Sequence, residues 1–203
     1  MAYLILVRHG VTDWNVEGRW HGLTDIPLNE KGRKQAREAA KLLSGMRVDS
    51  VYTSMLSRTT QTYDEICSTL GLVCPFIAHP ALNERDYGIY TGKNKWEVEK
   101  QLGHEKFINL RRSWNQPIPE GEALRDVYNR VVPFYKQKIL QDLRDGKNVL
   151  VVSSGNTLRA LIKYLENISD EDISKLELNF AEIYIFKVDK KGKIISKERR
   201  GLK

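Results

Sequence analysis

Hydrophobic residues along this chain fall into a few short unbroken runs separated by stretches of helical period. The run Tyr3-Leu4-Ile5-Leu6-Val7 is continuously apolar and rich in β-branched residues, the pattern of a strand buried on both faces. Val149-Leu150-Val151-Val152 repeats that pattern, and residues 49–54 and 75–78 form shorter, weaker versions of it. Between the runs the period changes from two to about 3.6. Asn29 stands as an N-cap before a helix whose Ala36, Ala39, Ala40 and Leu43 share one face, with Ser44-Gly45 as its stop. A second helix is expected over Ser57–Leu70, closed by Gly71, and residues 96–114 are expected to be helical in pieces. A long helix over 123–144 places Leu124, Val127, Tyr128, Val131, Phe134 and Tyr135 on one side, with a kink expected at Pro133. After the 149–152 run, Asn156 is expected to cap a helix bearing Leu158, Leu161, Ile162 and Leu165. Ile183, Ile185 and Val188 alternate and Ile194-Ile195 follow, so a closing hairpin with its turn at Lys190-Lys191-Gly192 is expected.

Strands separated by helices imply a three-layer α/β/α sandwich around a mostly parallel sheet, with the hairpin as an antiparallel edge. No linker-like change of composition divides the 203 residues, so a single domain over 1–203 is expected. Residues 11–25 lack a regular period and are read as a binding loop, and residues 84–122, in the most polar and irregular third of the chain, are read as a cover over a site.

Composition narrows the class. With 41% hydrophobic and 29% charged residues the chain is that of an ordinary globular protein, and no apolar run reaches the length of a membrane span. Arg8 interrupts the first run before it could act as a signal-peptide core, so a cytoplasmic protein with no membrane contact is expected. Two cysteines, Cys67 and Cys74, are too few for a disulfide framework and have no metal-ligand company, which predicts reduced structural thiols. The net charge of +7 admits nucleic acid or a small polyanion. Much of it sits in Lys187, Lys190, Lys191, Lys193, Lys197, Arg199, Arg200 and Lys203, read as a solvated strand and tail. No expected helix combines a basic face with interleaved aromatics, so nucleic-acid readout is not expected.

The informative basic residues lie where the strands end. Arg8 and His9 follow the first run directly, at the carboxyl end where open α/β sheets bind ligands. Arginine offers a planar fork for phosphate oxygens, and a neutral imidazole can attack phosphorus. An Arg-His pair by itself reads as a solvated strand end, and Arg58 by itself as a surface arginine near a helix start. The turn Ser153-Ser154-Gly155-Asn156 joins a buried strand to a helix N-terminus, an arrangement that offers backbone N–H groups to anions.

Taken together, Leu6-Val7-Arg8-His9-Gly10 with Asn15, Arg58 after Thr53-Ser54, Leu82-Asn83-Glu84-Arg85-Asp86-Tyr87-Gly88, Arg111-Arg112-Ser113-Trp114 and Ser154-Gly155-Asn156-Thr157-Leu158-Arg159 resemble the histidine phosphatase superfamily. The resemblance is strongest to its cofactor-dependent phosphoglycerate mutases and runs over nearly the whole chain in order. It implies that His9 carries a phosphoryl group, that Glu84 moves protons at the substrate oxygen, and that Arg8 and Arg58 hold the transferring phosphoryl group. It further implies that Asn15, His21, Gly22, Tyr87, Lys95, Arg111, Arg112, Gly155 and Asn156 bind a small phosphorylated metabolite. The implied primer is 2,3-bisphosphoglycerate, no metal is implied, and a homodimer is left open. An ion pair of Glu84 with Arg85 or a lysine is the structural alternative for that carboxylate.

One position departs from the pattern. The family places a second histidine where this chain has Ser154, and the serine joins the catalytic set with no charge to offer. Losing one transition-state donor typically slows a reaction by ~10²–10³-fold. Mutase, phosphomonoesterase and a binding protein with weak chemistry all remain open at this point.

Overall fold

The structure is a computed structural model that describes residues 1–73 and 75–202. Cys74 and Lys203, two residues named above, lie outside the described residues. The chain begins with β1 (Ala2–Arg8), the helical turn α1 (Asp13–Val16), α2 (Glu30–Leu42), β2 (Ser50–Thr53), α3 (Ser57–Leu70) and β3 (Phe76–Ala78). It continues through α4 (Lys95–Leu102), α5 (His104–Arg112), α6 (Leu124–Phe134), α7 (Leu140–Arg144) and β4 (Val149–Ser153). α8 (Gly155–Glu166), β5 (Ile183–Val188) and β6 (Ile194–Arg200) complete it.

The six strands form one sheet in the order β3-β2-β4-β1-β5-β6. β3, β2, β4 and β1 are parallel, and β5 and β6 run antiparallel at one edge. Alternation of side chains along a strand explains the three layers. Leu4 and Leu6 of β1 pack with Val149 and Val151 against Val127, Val131, Leu158 and Leu161 of α6 and α8. Ile5 and Val7 point the other way, with Leu150 and Val152, against Ala39, Ala40, Tyr63 and Ile66 of α2 and α3. These strand residues are fully buried, each contributing roughly 1.5–3 kcal/mol of hydrophobic stabilisation.

β1 and β4 lie side by side with Arg8 in register with Ser153, so the two strand ends that carry the chemistry open at the same edge. The N-terminus of α2 packs tightly on the loop beyond β1: a Cβ on Gly32 would lie 2.0 Å from the Val11 carbonyl oxygen. Only glycine permits that approach. A third apolar cluster joins Trp20 and Tyr87 of the loops to Val98 of α4, Phe107 and Leu110 of α5, and Ile118. Backbone bonds from Trp20 to Lys93 and from Gly92 to Trp20 tie the first loop to this segment.

Several expectations change. The stretch 11–25 is not wholly irregular, because Thr12 caps α1 in a reciprocal box with Asn15. The helix over 123–144 is broken by a π-helical turn over Tyr135–Ile139, two residues beyond Pro133, whose missing N–H already weakens the ladder there. Asn156 is not the N-cap of α8. Ser154 is, with extended backbone angles, and Asn156 stands inside the first turn with its own N–H engaged elsewhere. The basic edge strand is less free than expected, since Lys197 pairs with Glu166, Arg199 with Glu182 and Arg200 with Glu198. Among the described residues no helix is long and apolar enough to cross a membrane.

Candidate active site

Beyond β1 and β4 lies a cavity of about 270 Å³ whose wall includes Arg8, His9, Arg58 and Glu84. His9 sits just past the last residue of β1, held by its own N–H to the Ser153 carbonyl and by its carbonyl to the Ala181 N–H. It is 3% exposed. Nδ1 lies 2.7 Å from the Gly10 carbonyl oxygen, which can only accept, so Nδ1 carries the proton and Nε2 keeps the lone pair. Burial, followed by the positive charges of Arg58 and Arg8, holds the ring well below the ordinary imidazole range. His9 is therefore a neutral imidazole with a free nucleophilic nitrogen at neutral pH.

The two arginines are anchored and incompletely satisfied. Arg58, at the start of α3, is fully buried and gives Nη1 to the Thr24 carbonyl at 3.0 Å and Nη2 to the Gly22 carbonyl at 3.1 Å. Arg8 gives Nη1 to the Leu178 carbonyl and lies 3.8 Å from the centre of the Phe180 ring. Nε of both guanidinium groups is buried and has no partner. Leaving a buried donor unpaired costs about 1–3 kcal/mol, so two such N–H groups around one imidazole signal a missing acceptor. An oxyanion is the acceptor that also offsets two buried cations. Gly155 lets Arg8 lie close to the N-terminus of α8, where a Cβ would come within 3.4 Å of Nε.

Glu84 makes no ion pair with Arg85. One oxygen, Oε1, accepts the Arg85 N–H at 2.7 Å and the Asn156 N–H at 3.2 Å, so the helix end α8 holds a protein carboxylate and leaves Oε2 outside both bonds. Arg85 instead gives its side chain to the carbonyls of Glu122, Leu110 and Gln116, closing the segment around the site. Asn156 extends the network by donating to the Tyr87 hydroxyl at 2.9 Å and accepting from Arg159 at 3.0 Å. Ser154 is fully buried, its Oγ has no partner, and it is absent from the cavity wall.

Further cations line the wall, together with the neutral His21. Lys95, from the N-terminus of α4, is lowered to about 8 by burial and by Arg111 and Arg8. Arg111 and Arg112 end α5, and burial followed by the adjacent Arg112 lowers Arg111. His21 is 7% exposed and pushed down to about 3, by burial first and then by Arg58, Lys95, Arg8 and Arg19. Its Nε2 lies 2.6 Å from the Thr12 hydroxyl, beside Asn15. Such an assembly of fixed cations and a neutral nucleophile can bind a phosphate ester, accept its phosphoryl group on nitrogen and stabilise the charge that spreads over the equatorial oxygens.

Twelve of the fourteen residues singled out in the sequence line this one cavity. Gly22 and Ser154 do not: Gly22 contributes a carbonyl to Arg58, and Ser154 is fully buried with its Oγ unpartnered. Four wall residues were missed, namely Trp20, Arg159, Glu177 and Leu178. Arg159 was within reach, since it lies three residues after Asn156 and hence on the same helix face. Glu177 and Leu178 follow no motif and come to the wall only through the path of the chain between α8 and β5. Among the described residues no group of three or more His, Cys, Asp or Glu side chains could hold a metal ion.

Comparison with known proteins agrees with this geometry. The family model of the histidine phosphatase superfamily (branch 1) matches residues 4–199. A 2,3-bisphosphoglycerate-dependent phosphoglycerate mutase of Cytophaga hutchinsonii is 41% identical over 178 residues, covering 88% of this chain and 84% of that protein. Among solved structures, Bacillus stearothermophilus YhfR superposes with a TM-score of 0.83 at 28% identity, over 96% of this chain and 94% of the other. The alpha-ribazole phosphatase of Shigella flexneri gives a TM-score of 0.78 at 27% identity, over 93% and 92%. With the motifs in order, the sheet and the cavity in place and the match running almost end to end, the chain belongs to the histidine phosphatase superfamily.

Proposed function

We propose that the protein interconverts 3- and 2-phosphoglycerate through a phosphohistidine at His9. The observation that carries this reading is the neutral His9, with Nε2 unprotonated, between two arginines whose buried Nε groups have no acceptor. In the step proposed, Nε2 forms a bond to phosphorus, the phosphorus–oxygen ester bond breaks, and Glu84 gives a proton to the departing oxygen. The reverse transfer to the other hydroxyl returns that proton to Glu84. Arg8 and Arg58 offer the donors for the phosphoryl oxygens, and Lys95, Arg111 and Arg112 offer charge to the second anionic group of a phosphoglycerate. The name of the Cytophaga relative supports the choice of substrate and of primer. The orphaned arginine donors fit 2,3-bisphosphoglycerate, which when bound would supply the phosphoryl group that primes His9. The segment 84–122, which includes α4 and α5, brings four residues, Tyr87, Lys95, Arg111 and Arg112, to the wall besides Glu84, which supports its role as a cover that excludes water. Ser154, lacking charge, is proposed to leave turnover slower than a second histidine would.

Phosphomonoesterase activity with the same residues is the second reading, and the likeness to the Shigella phosphatase favours it. One experiment addresses both. Protein mixed with 2,3-bisphosphoglycerate is expected to gain the mass of one phosphoryl group, lost again in His9→Asn. On 3-phosphoglycerate, formation of the 2-isomer faster than release of inorganic phosphate supports the mutase. Phosphate release alone supports the phosphatase, and no mass gain with no product on either path refutes both.

A further inference from the structure

The wall of the cavity contains a carboxylate that the proposed chemistry does not use. Glu177 sits on the strap between α8 and β5 and accepts a hydrogen bond from Arg112 Nη2 through Oε1. Arg112 is one of the cations offered to the second anionic group of a substrate, so in the empty cavity its charge is already answered by the protein itself. The backbone on either side of Glu177 is held independently of that carboxylate. Arg199 donates to the Glu177 carbonyl at 3.3 Å, Arg8 donates to the Leu178 carbonyl, and the Asn179 N–H donates to Glu182 at 2.7 Å. The Glu177 side chain is 69% exposed while that of Arg112 is 22% exposed, so the carboxylate can swing into water and leave the guanidinium in the wall.

Resting on the function proposed above, we infer that Glu177 is a specificity-determining residue, an internal carboxylate that a substrate must displace with its own second anionic group. The strap and Arg112 are placed so that one guanidinium serves either the protein's carboxylate or the ligand's. A phosphate ester with a single anionic group can fill the Arg8 and Arg58 end of the cavity and leave the Glu177–Arg112 pair closed. A phosphoglycerate brings a carboxylate as well as a phosphate, opens the pair and takes Arg112. Glu177 also sets a negative charge at the mouth, which weakens the hold on the second group enough to let a product leave. The pair is partly exposed, so its replacement is a modest barrier rather than a lock.

The test is the ratio of two affinities, measured on the full-length protein by calorimetry at low ionic strength. The probes are 3-phosphoglycerate, with two anionic groups, and phenyl phosphate, with one. Glu177→Gln keeps the length of the side chain and an oxygen that can accept from Arg112 while removing the charge, and Glu177→Ala removes both. In each variant the preference for 3-phosphoglycerate over phenyl phosphate is expected to rise by roughly three- to ten-fold. Raising the ionic strength to 0.5 M is expected to shrink that gain. An unchanged ratio in both variants, or a fall in the preference, overturns the inference while leaving the phosphoglycerate reading intact. If the wild-type protein binds phenyl phosphate but not 3-phosphoglycerate and neither variant gains it, the inference and the substrate proposal fail together.

Discussion

The most direct measure of the cavity's electrostatics is His21, whose ring is held neutral by burial and by four surrounding cations. In the unfolded chain it titrates near 6.5, and in the folded protein near 3. Between those values the unfolded state binds a proton that the native state refuses, so stability is fully present above pH 6.5 and is lost as pH falls through the window from 6.5 to 3. At pH 5 the unfolded state has gained about 1.5 pH units of this advantage, which at 1.36 kcal/mol per unit amounts to about 2 kcal/mol relative to pH 8. His21→Gln removes that contribution and, with it, only the smallest of the named influences on His9, whose ring stays held down by burial, Arg58 and Arg8. The assay is urea unfolding of both proteins at pH 8 and pH 5, in buffer free of phosphate and sulfate. The loss of stability between the two pH values is expected to be smaller in His21→Gln by about 2 kcal/mol. A difference under about 0.5 kcal/mol would refute the argument, because it would mean that the ring is charged or hydrated in the native cavity. Saturating orthophosphate should shrink the effect, since an anion beside the arginines reverses the local field.

Two further outcomes follow from the same structure. Ser154→His adds a charge-capable donor at the N-cap of α8, and turnover on 3-phosphoglycerate is expected to rise by ~10²–10³-fold in a stopped-time product assay; unchanged turnover would show that the serine does not limit the reaction. Arg85→Met leaves the carbonyls of Glu122, Leu110 and Gln116 without their donor in a fully buried position, so urea unfolding is expected to show a loss of about 3–5 kcal/mol, and a loss under 1 kcal/mol would contradict the bonding described.

Much of this protein can be read from local sequence. Hydrophobic period is a local property, and it fixes which side of each element faces the core. The faces of β1, α2 and α8 follow directly from residues such as Leu4, Ile5, Ala39 and Leu161. The placement of Arg8 and His9 at a strand end is local too, as is the stop of α3 at Gly71, where a left-handed backbone angle favours glycine. What the tertiary structure alone decided depends on groups far apart in the chain. The carbonyl that sets the protonated nitrogen of His9 belongs to the next residue, Gly10, but the neutrality of the ring depends on burial in the folded cavity and on Arg58, forty-nine residues away. Glu84 is anchored by two backbone donors, the adjacent Arg85 N–H and the distant Asn156 N–H, rather than by the Arg85 guanidinium, and the second is there because the backbone of α8 arrives with an unsatisfied donor. Glu177 and Leu178 enter the cavity wall by convergence, which no period or spacing encodes. Ser154 shows the same division: its place beside Gly155 and Asn156 is a matter of order along the chain, whereas its complete burial follows from how β4 meets α8 in space.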